Sequence, residues 1–156
     1  MIYFTADEHF GHTNIIKYCN RPFNNAEEMD EQLIKNHNEV VGTDDTVYHV
    51  GDFTLKNKEY ADKIINRLTG KHIFLMGSHD NWNKELPYVI ELSVDEIYVV
   101  MCHYAMRVWP RSHYDSVMLY GHSHGKLPPQ KNSHDVGVDN NNYYPVTLKQ
   151  IMTKMI

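Results

Sequence analysis

The stretch Ile2-Tyr3-Phe4-Thr5-Ala6-Asp7-Glu8-His9 decides how this chain reads. A short apolar run that stops abruptly at polar residues predicts a buried strand over Ile2–Ala6. It delivers an acid and an imidazole, Asp7 and His9, with one residue between them. In extended chain such a pair points the same way. The pattern then recurs. A second predicted strand, Thr46–Val50, runs into Gly51-Asp52, and a third, His72–Met76, runs into Gly77-Ser78-His79-Asp80. The predicted strand Ile97–His103 ends on an imidazole, and Val117–Tyr120 runs into Gly121-His122-Ser123-His124. Five strand ends each deliver a carboxylate or an imidazole. In α/β sheets, ligands bind beyond the carboxyl ends of the strands.

Helical signals fall between these strands. Gly11–Cys19 reads as a short helix closed by Asn20 and Pro22. Asn25 with Glu28 forms a capping box. Met29, Leu33, Ile34, Val40 and Val41 then share one helical face, and Gly42 ends the helix. A third helix is predicted over Lys58–Leu68, stopping at Gly70. The second half is richer in strand. Tyr88–Ser93 pairs with Ile97–His103 across Val94-Asp95-Glu96. Asp135–Val138 and Pro145–Thr147 flank an Asn140–Asn142 turn. Leu148–Ile156 reads as a closing helix. The class is α/β, with more β late in the chain.

The 156 residues fit one domain, residues 1–156. With 15 Lys and Arg against 20 Asp and Glu, the net charge is −5, which argues against a protein that wraps duplex DNA. No apolar run approaches the roughly 20 residues a bilayer span needs. The first residues lack a signal-peptide layout, so the expected compartment is the cytoplasm, with no membrane partner. The two cysteines, Cys19 and Cys102, are far apart and form no Cys-x-x-Cys, so a thiolate zinc site is not expected. Histidine is abundant, with 11 residues, and imidazole is the commonest metal ligand.

Asp7, His9, Asp52, His103, His122 and His124 exceed what one tetrahedral metal site needs. They suit two divalent ions sharing a bridging carboxylate, about 3.5–4 Å apart, an arrangement that clamps phosphate oxygens. Mixed imidazole and carboxylate donors favour Mn, Fe, Ni, Co or Zn over Mg or Ca.

Together, Asp-x-His, Gly-Asp, Gly-x-His-Asp, a lone His and Gly-His-x-His over residues 5–124 resemble the calcineurin-like metallophosphoesterases. The resemblance implies a four-layer α/β/β/α sandwich with mixed sheets and two metals at the sheet edge. It implies that Asp7, His9, Asp52 and His124 hold the first ion. Asp52 would bridge, and His103 and His122 would hold the second. Mn is the ion most expected. His79 would be the general acid, held by Asp80. The family has Asn where this chain has Ser78, a shorter and weaker donor, so Ser78 is expected to act weakly or through water. Phe10-Gly11-His12, Asn20-Arg21-Pro22-Phe23 and Val136-Gly137-Val138-Asp139 with Tyr144-Pro145-Val146 resemble a compact bacterial and phage branch.

The implied activity is hydrolysis of a small nucleotide-like phosphoester, diesters before monoesters. A hydroxide generated between the metals attacks in line, and His79 protonates the leaving oxygen. A nuclease acting on RNA or DNA ends is the alternative, and a non-catalytic binding module a third reading. Oligomeric state is open. His12 and Asn14 are candidates for touching the substrate, and Arg21 and Arg107 for gripping its phosphate. Tyr104–His113, with Arg107, Trp109, Arg111 and His113, is either a lid that stacks on a base or a packed loop. His49 and Asp139 are candidates for orienting ligands. His37, His72 and His134 read as packing or surface residues.

Overall fold

The computed structural model describes residues 1–154. β1 (Ile2–Thr5) is an inner strand, paired on both edges, and its last three residues are buried. After α1 (Thr13–Tyr18), α2 (Ala26–Val40) carries the chain back to β2 (Thr46–His49), and α3 (Lys58–Ile65) carries it on to β3 (Lys71–Phe74). Both crossovers give parallel pairs, β1 with β2 and β2 with β3. A hairpin of β4 (Val89–Val94) and β5 (Ile97–Cys102) opens the second sheet, continued in parallel by β6 (Val117–Tyr120) and β7 (Ser133–Asp135). β8 (Val146–Thr147) returns antiparallel to β1, and α4 (Leu148–Lys154) follows. The orders are β3-β2-β1-β8 and β4-β5-β6-β7.

The inner faces of the two sheets make one core of Phe4, Val50, Leu75, Val99, Met101, Val117, Leu119 and Val136, closed by Leu148 and Ile151 of α4. The helices cover the other face of the first sheet through Met29, Leu33, Ile34, Ala61 and Ile64. Asn25 caps α2 by accepting from Glu28 N at 2.8 Å, and Asn57 caps α3 by accepting from Tyr60 N at 3.0 Å. Each cap is worth about 1 kcal/mol. The outer face of the second sheet is covered by the segment 103–116. Its Trp109 is buried on Val100, Met118 and Tyr120, and its indole N–H donates to Ser116 Oγ at 3.0 Å. The expected four-layer sandwich is therefore present, with its outermost layer reduced to a loop and one 3-10 turn, Ser112–Tyr114.

Some boundaries move for local reasons. Asp95 and Glu96, both at positive φ, make a two-residue turn, so Val94 joins β4. Asp135 ends β7, because its Oδ1 accepts from Gly137 N at 2.8 Å and bends the chain; Val138–Asn140 is a 3-10 turn. The expected strand Asp135–Val138 is thus cut short, and β7 and β8 lie in different sheets. Val40 faces outward, whereas Val41 is buried. α3 ends at Ile65, and Leu68 stays buried through a turn bonded to Ile65 O. The last two residues of the predicted closing helix, 155–156, lie outside the described residues. No described helix is long and apolar enough to cross a membrane.

His37 on α2 is buried, with its Nε2 bonded to Thr69 O at 2.8 Å. Burial pushes its imidazole down to about 3. An unfolded histidine titrates near about 6.5, so the unfolded chain takes up this proton first. Stability is fully present above that value and falls as pH drops toward the folded value, by about 1.4 kcal/mol per pH unit for one such group. Urea midpoints should therefore decline steadily from pH 7 to pH 5, and His37→Gln should flatten the slope. An equal slope in the variant would show that His37 does not carry this proton.

Candidate metal centre and active site

The ligand candidates sit on strained turns at the strand ends. Asp7, His9, Asp52, His122 and His124 have φ of 56°, 52°, 57°, 66° and 48°. Left-handed backbone costs an L-residue about 1–2 kcal/mol. Such residues persist only where surrounding contacts over-determine them, and they cluster at functional sites. Asp7 and His9 therefore reach the same spot through two tight turns, and not through the extended alternation expected from the sequence.

Four devices hold these turns. The β1 and β2 loops are zipped together by Asp7 N to Gly51 O and His9 N to Asp52 O, both 3.0 Å. Asp80 spends its carboxylate on Asp52 N, Phe53 N, Gly77 N and the Trp82 indole, at 2.7 to 3.0 Å. Asp135 accepts from Gly125 N and Gly137 N, both at 2.8 Å. Arg21 donates to Asp7 O at 2.7 Å and Glu8 O at 2.9 Å, and grips Asp139 through two bonds of 2.8 Å. Glycine is required at two positions. At Gly51, with φ +92°, a Cβ would strike the His103 ring, and at Gly77 it would strike the Asp52 backbone.

Two donor groups result. Asp7, His9 and His124 present donor atoms within 4.8 Å of one another, as do Asp52, His103 and His122. Asp52 Oδ2 stands between the groups, 3.6 Å from His9 Nε2 and 3.2 Å from His103 Nε2. Each inner imidazole is held from behind at Nδ1. His103 is bonded there to Val50 O at 2.9 Å, His124 to Asp139 at 2.7 Å, and His9 to His12 at 3.1 Å. This is how metal-ligating histidines are oriented, leaving Nε2 to the ion. His9 Nε2 and His103 Nε2 are buried and have no hydrogen-bond partner. Unpartnered buried nitrogens are rare and costly. Divalent ions among these carboxylates and imidazoles would satisfy both, so the residues fit a metal centre. A third group, Cys19 with His124 and Asp139, also converges. There the Asp139 oxygens are already spent on Arg21 and His124 Nδ1.

Burial and mutual charge perturb these groups strongly. Burial pushes Asp7 up to about 7, against the pull of His103. Burial alone would lower His103, but the Asp52 carboxylate lifts it to about 9. Asp52 is held below the usual carboxylate range: burial would raise it, and His103 and His9 outweigh that. Burial pushes His9 down to about 3. Buried carboxylates this close call for positive charge between them.

The structure thus brings together all six ligand candidates. Ser78 donates its hydroxyl to Asp52 Oδ2 at 2.9 Å. His79 is exposed, its ring centroid 5.9 Å from that of His9, and its backbone N–H holds Asp52 Oδ1 at 2.8 Å. Asp80 does not hold the His79 imidazole, because its oxygens are filled by backbone and indole donors; it clamps loops instead. Arg21 is buried and cannot grip a phosphate, because its guanidinium is used behind the Asp7 turn. Arg107 is exposed on the 103–116 loop, and Asn14 is exposed on α1. His12 is half-buried against His9. The 103–116 segment is a packed loop, anchored by Trp109. His49 orients no ligand; it bonds Glu8 at one nitrogen and His72 at the other, 3.0 Å away. Asp139, which the sequence left open between orienting a ligand and starting the Asn-rich turn, bonds His124 Nδ1.

Sequence reasoning missed Glu8 and Asp135. Glu8 carried a signal, since it lies between Asp7 and His9 on the opposite face, while His49 ends the neighbouring strand. Asp135 had none beyond its place just before Gly137.

No protein-family model matches this chain. It is 39% identical over 160 residues to the uncharacterized protein MJ1445 of Methanocaldococcus jannaschii, covering 97% of this chain and 89% of that one. The protein of unknown function AQ665 from Aquifex aeolicus superposes with a TM-score of 0.75 at 22% identity, over 98% of both chains. A predicted phosphoesterase from Streptococcus pneumoniae superposes with a TM-score of 0.52 at 13% identity, over 87% of this chain and 70% of that one. The expected bacterial and phage branch is not confirmed: the relative that covers 97% of this chain is archaeal, whereas a protein of Mycobacterium phage L5 is 35% identical over 81 residues, half of this chain.

Asp139→Asn should leave the Arg21 side of the clamp weakened and the His124 ring poorly oriented. Loss of such an outer partner typically costs about 10–100-fold in metal affinity. Calorimetric titration with Mn should show that loss at one ion and little change at the other. Unchanged affinity at both would contradict the role given to Asp139.

Proposed function

Since the chain belongs to the family of the Methanocaldococcus jannaschii protein and has the calcineurin-like metallophosphoesterase fold, we propose that it is a metal-dependent phosphoester hydrolase acting on a small nucleotide-like phosphodiester. The observation that carries this reading is the pair of buried, unpartnered Nε2 atoms of His9 and His103 on either side of Asp52. Asp7, His9, Asp52 and His124 would hold one divalent ion. Asp52, His103 and His122 would hold the other, with Ser78 acting through its bond to Asp52. Mn suits this mixture of imidazole and carboxylate. Such ions, when bound, supply Lewis-acid stabilisation of phosphoryl oxygens and lower the pKa of water.

The chain's own groups do the rest. His79 is exposed beside His9, and its imidazole is not tied to Asp80, so it is free to swing to a leaving oxygen and donate a proton. His12 steadies the His9 ring from behind. The loop clamps keep the donors from relaxing when substrate arrives, which is the condition for electrostatic preorganisation. The preference for diesters rests on Arg21. A monoester dianion asks for added cations at the phosphate, and the buried Arg21 guanidinium behind the Asp7 turn is committed to Asp139 and to backbone. The net charge of −5 speaks for a compact substrate over nucleic acid. An intact donor set, with Ser78 as its one departure, speaks for an enzyme over a binding module.

Hydrolysis of a chromogenic phosphodiester should require a transition metal and exceed that of the matching monoester. His79→Ala should cost about 10²–10⁴-fold with an alkoxide leaving group, and much less with p-nitrophenolate, which leaves without a proton. Ser78→Asn should raise turnover. Absence of hydrolysis with Mn, Ni and Zn alike, in both the natural chain and Ser78→Asn, would overturn the reading.

A further inference from the structure

Tyr104 directly follows the ligand candidate His103 and is 47% exposed. Its ring centroid lies 4.8 Å from that of His122 and 5.2 Å from that of His103, tilted at 55° and 78°. A large aromatic surface is thus left open to solvent against the second donor group. It is not the tip of a mobile lid. The loop it begins is pinned by the buried Trp109 and its bond to Ser116. The same loop exposes Arg107 and Val108. A held, half-open tyrosine ring is what planar ligands stack on, at little entropic cost.

Its place relative to His79 matters. His79 sits against His9, in the first donor group, and Tyr104 sits against His103 and His122, in the second. A phosphodiester carries two ester substituents. One leaves with the proton that His79 donates, and the other stays on phosphorus. Resting on the hydrolase reading above, we propose that Tyr104 is the stacking platform for the substituent that stays, and that this substituent carries a planar ring, as a nucleoside does. The products are then a nucleoside- or aryl-type monophosphate, retained against Tyr104, and a free alcohol. Water adds across the P–O bond and no other reactant is consumed. The competing view is that Tyr104 only packs against the His103 and His122 rings.

Two esters with one leaving group separate these views. Phenyl p-nitrophenyl phosphate and methyl p-nitrophenyl phosphate both release p-nitrophenolate and differ only in the retained group. In Mn, and relative to their uncatalysed rates, kcat/KM should favour the phenyl ester by about tenfold, the size expected for one aromatic stack. Tyr104→Ala should bring the ratio close to one, and Tyr104→Phe should keep it. A ratio that survives in Tyr104→Ala overturns the proposal. Calorimetric binding of phenyl phosphate against methyl phosphate, to the same three proteins in Mn, reads the stack without turnover. A phenyl preference lost only in Tyr104→Ala supports it, even if neither ester is hydrolysed, in which case the hydrolase reading fails and the platform stands. Equal binding of the two monophosphates by the natural protein overturns the platform and leaves the hydrolase reading to the ester assay.

Discussion

Everything at this site depends on Asp52 being held, in left-handed backbone, between two imidazoles whose buried nitrogens point toward it. No part of that arrangement is cheap. The turn is strained, the carboxylate is buried, and the His9 and His103 Nε2 atoms have no partner. Such a position survives only if its surroundings allow no relaxation. Asp80 supplies the main restraint, bonding Asp52 N and Phe53 N on one loop and Gly77 N and Trp82 on the next. Two strand ends are thereby tied through one carboxylate. Asp135 and the Arg21–Asp139 pair do the same for the turns that carry His124 and Asp7.

This division of labour explains why so many polar groups are buried in a small protein. Buried charge is tolerated where it is paired and hydrogen-bonded. Arg21 meets that condition fully, with bonds to two carbonyls and a carboxylate. The His9 and His103 Nε2 atoms beside Asp52 make no hydrogen bond among the chain's own groups. The mouth of the site shows the same logic in reverse: His79, His122 and Tyr104 stay exposed where substrate would approach.

Much of this was legible in the sequence. Parallel strands end on one edge, so an acid or imidazole after each predicted strand had to converge, and the six ligand candidates do. The start of α2 was legible because Asn25 caps it locally, whereas the Asn57 cap of α3 was not read from the sequence. The clamps were not legible. Asp52 and Asp80 are 28 positions apart, and Arg21 and Asp139 are 118 apart. A side chain bonded to distant backbone leaves no periodic trace. Two expectations failed on such bonds: the family resemblance made Asp80 the partner of His79, and guanidinium chemistry made Arg21 a phosphate grip, but both side chains are spent on distant backbone and side-chain groups. The left-handed turns were hidden for a related reason. Asp and His tolerate that backbone well enough that no glycine is needed to announce it.

The central claim is that Asp52 stands between two cations. Anomalous diffraction from crystals grown with Mn tests it most directly. The account predicts two peaks, one contacted by Asp7, His9 and His124, the other by His103 and His122, with an Asp52 oxygen between them. A single peak, or one seated on Cys19, His124 and Asp139 instead, would contradict it.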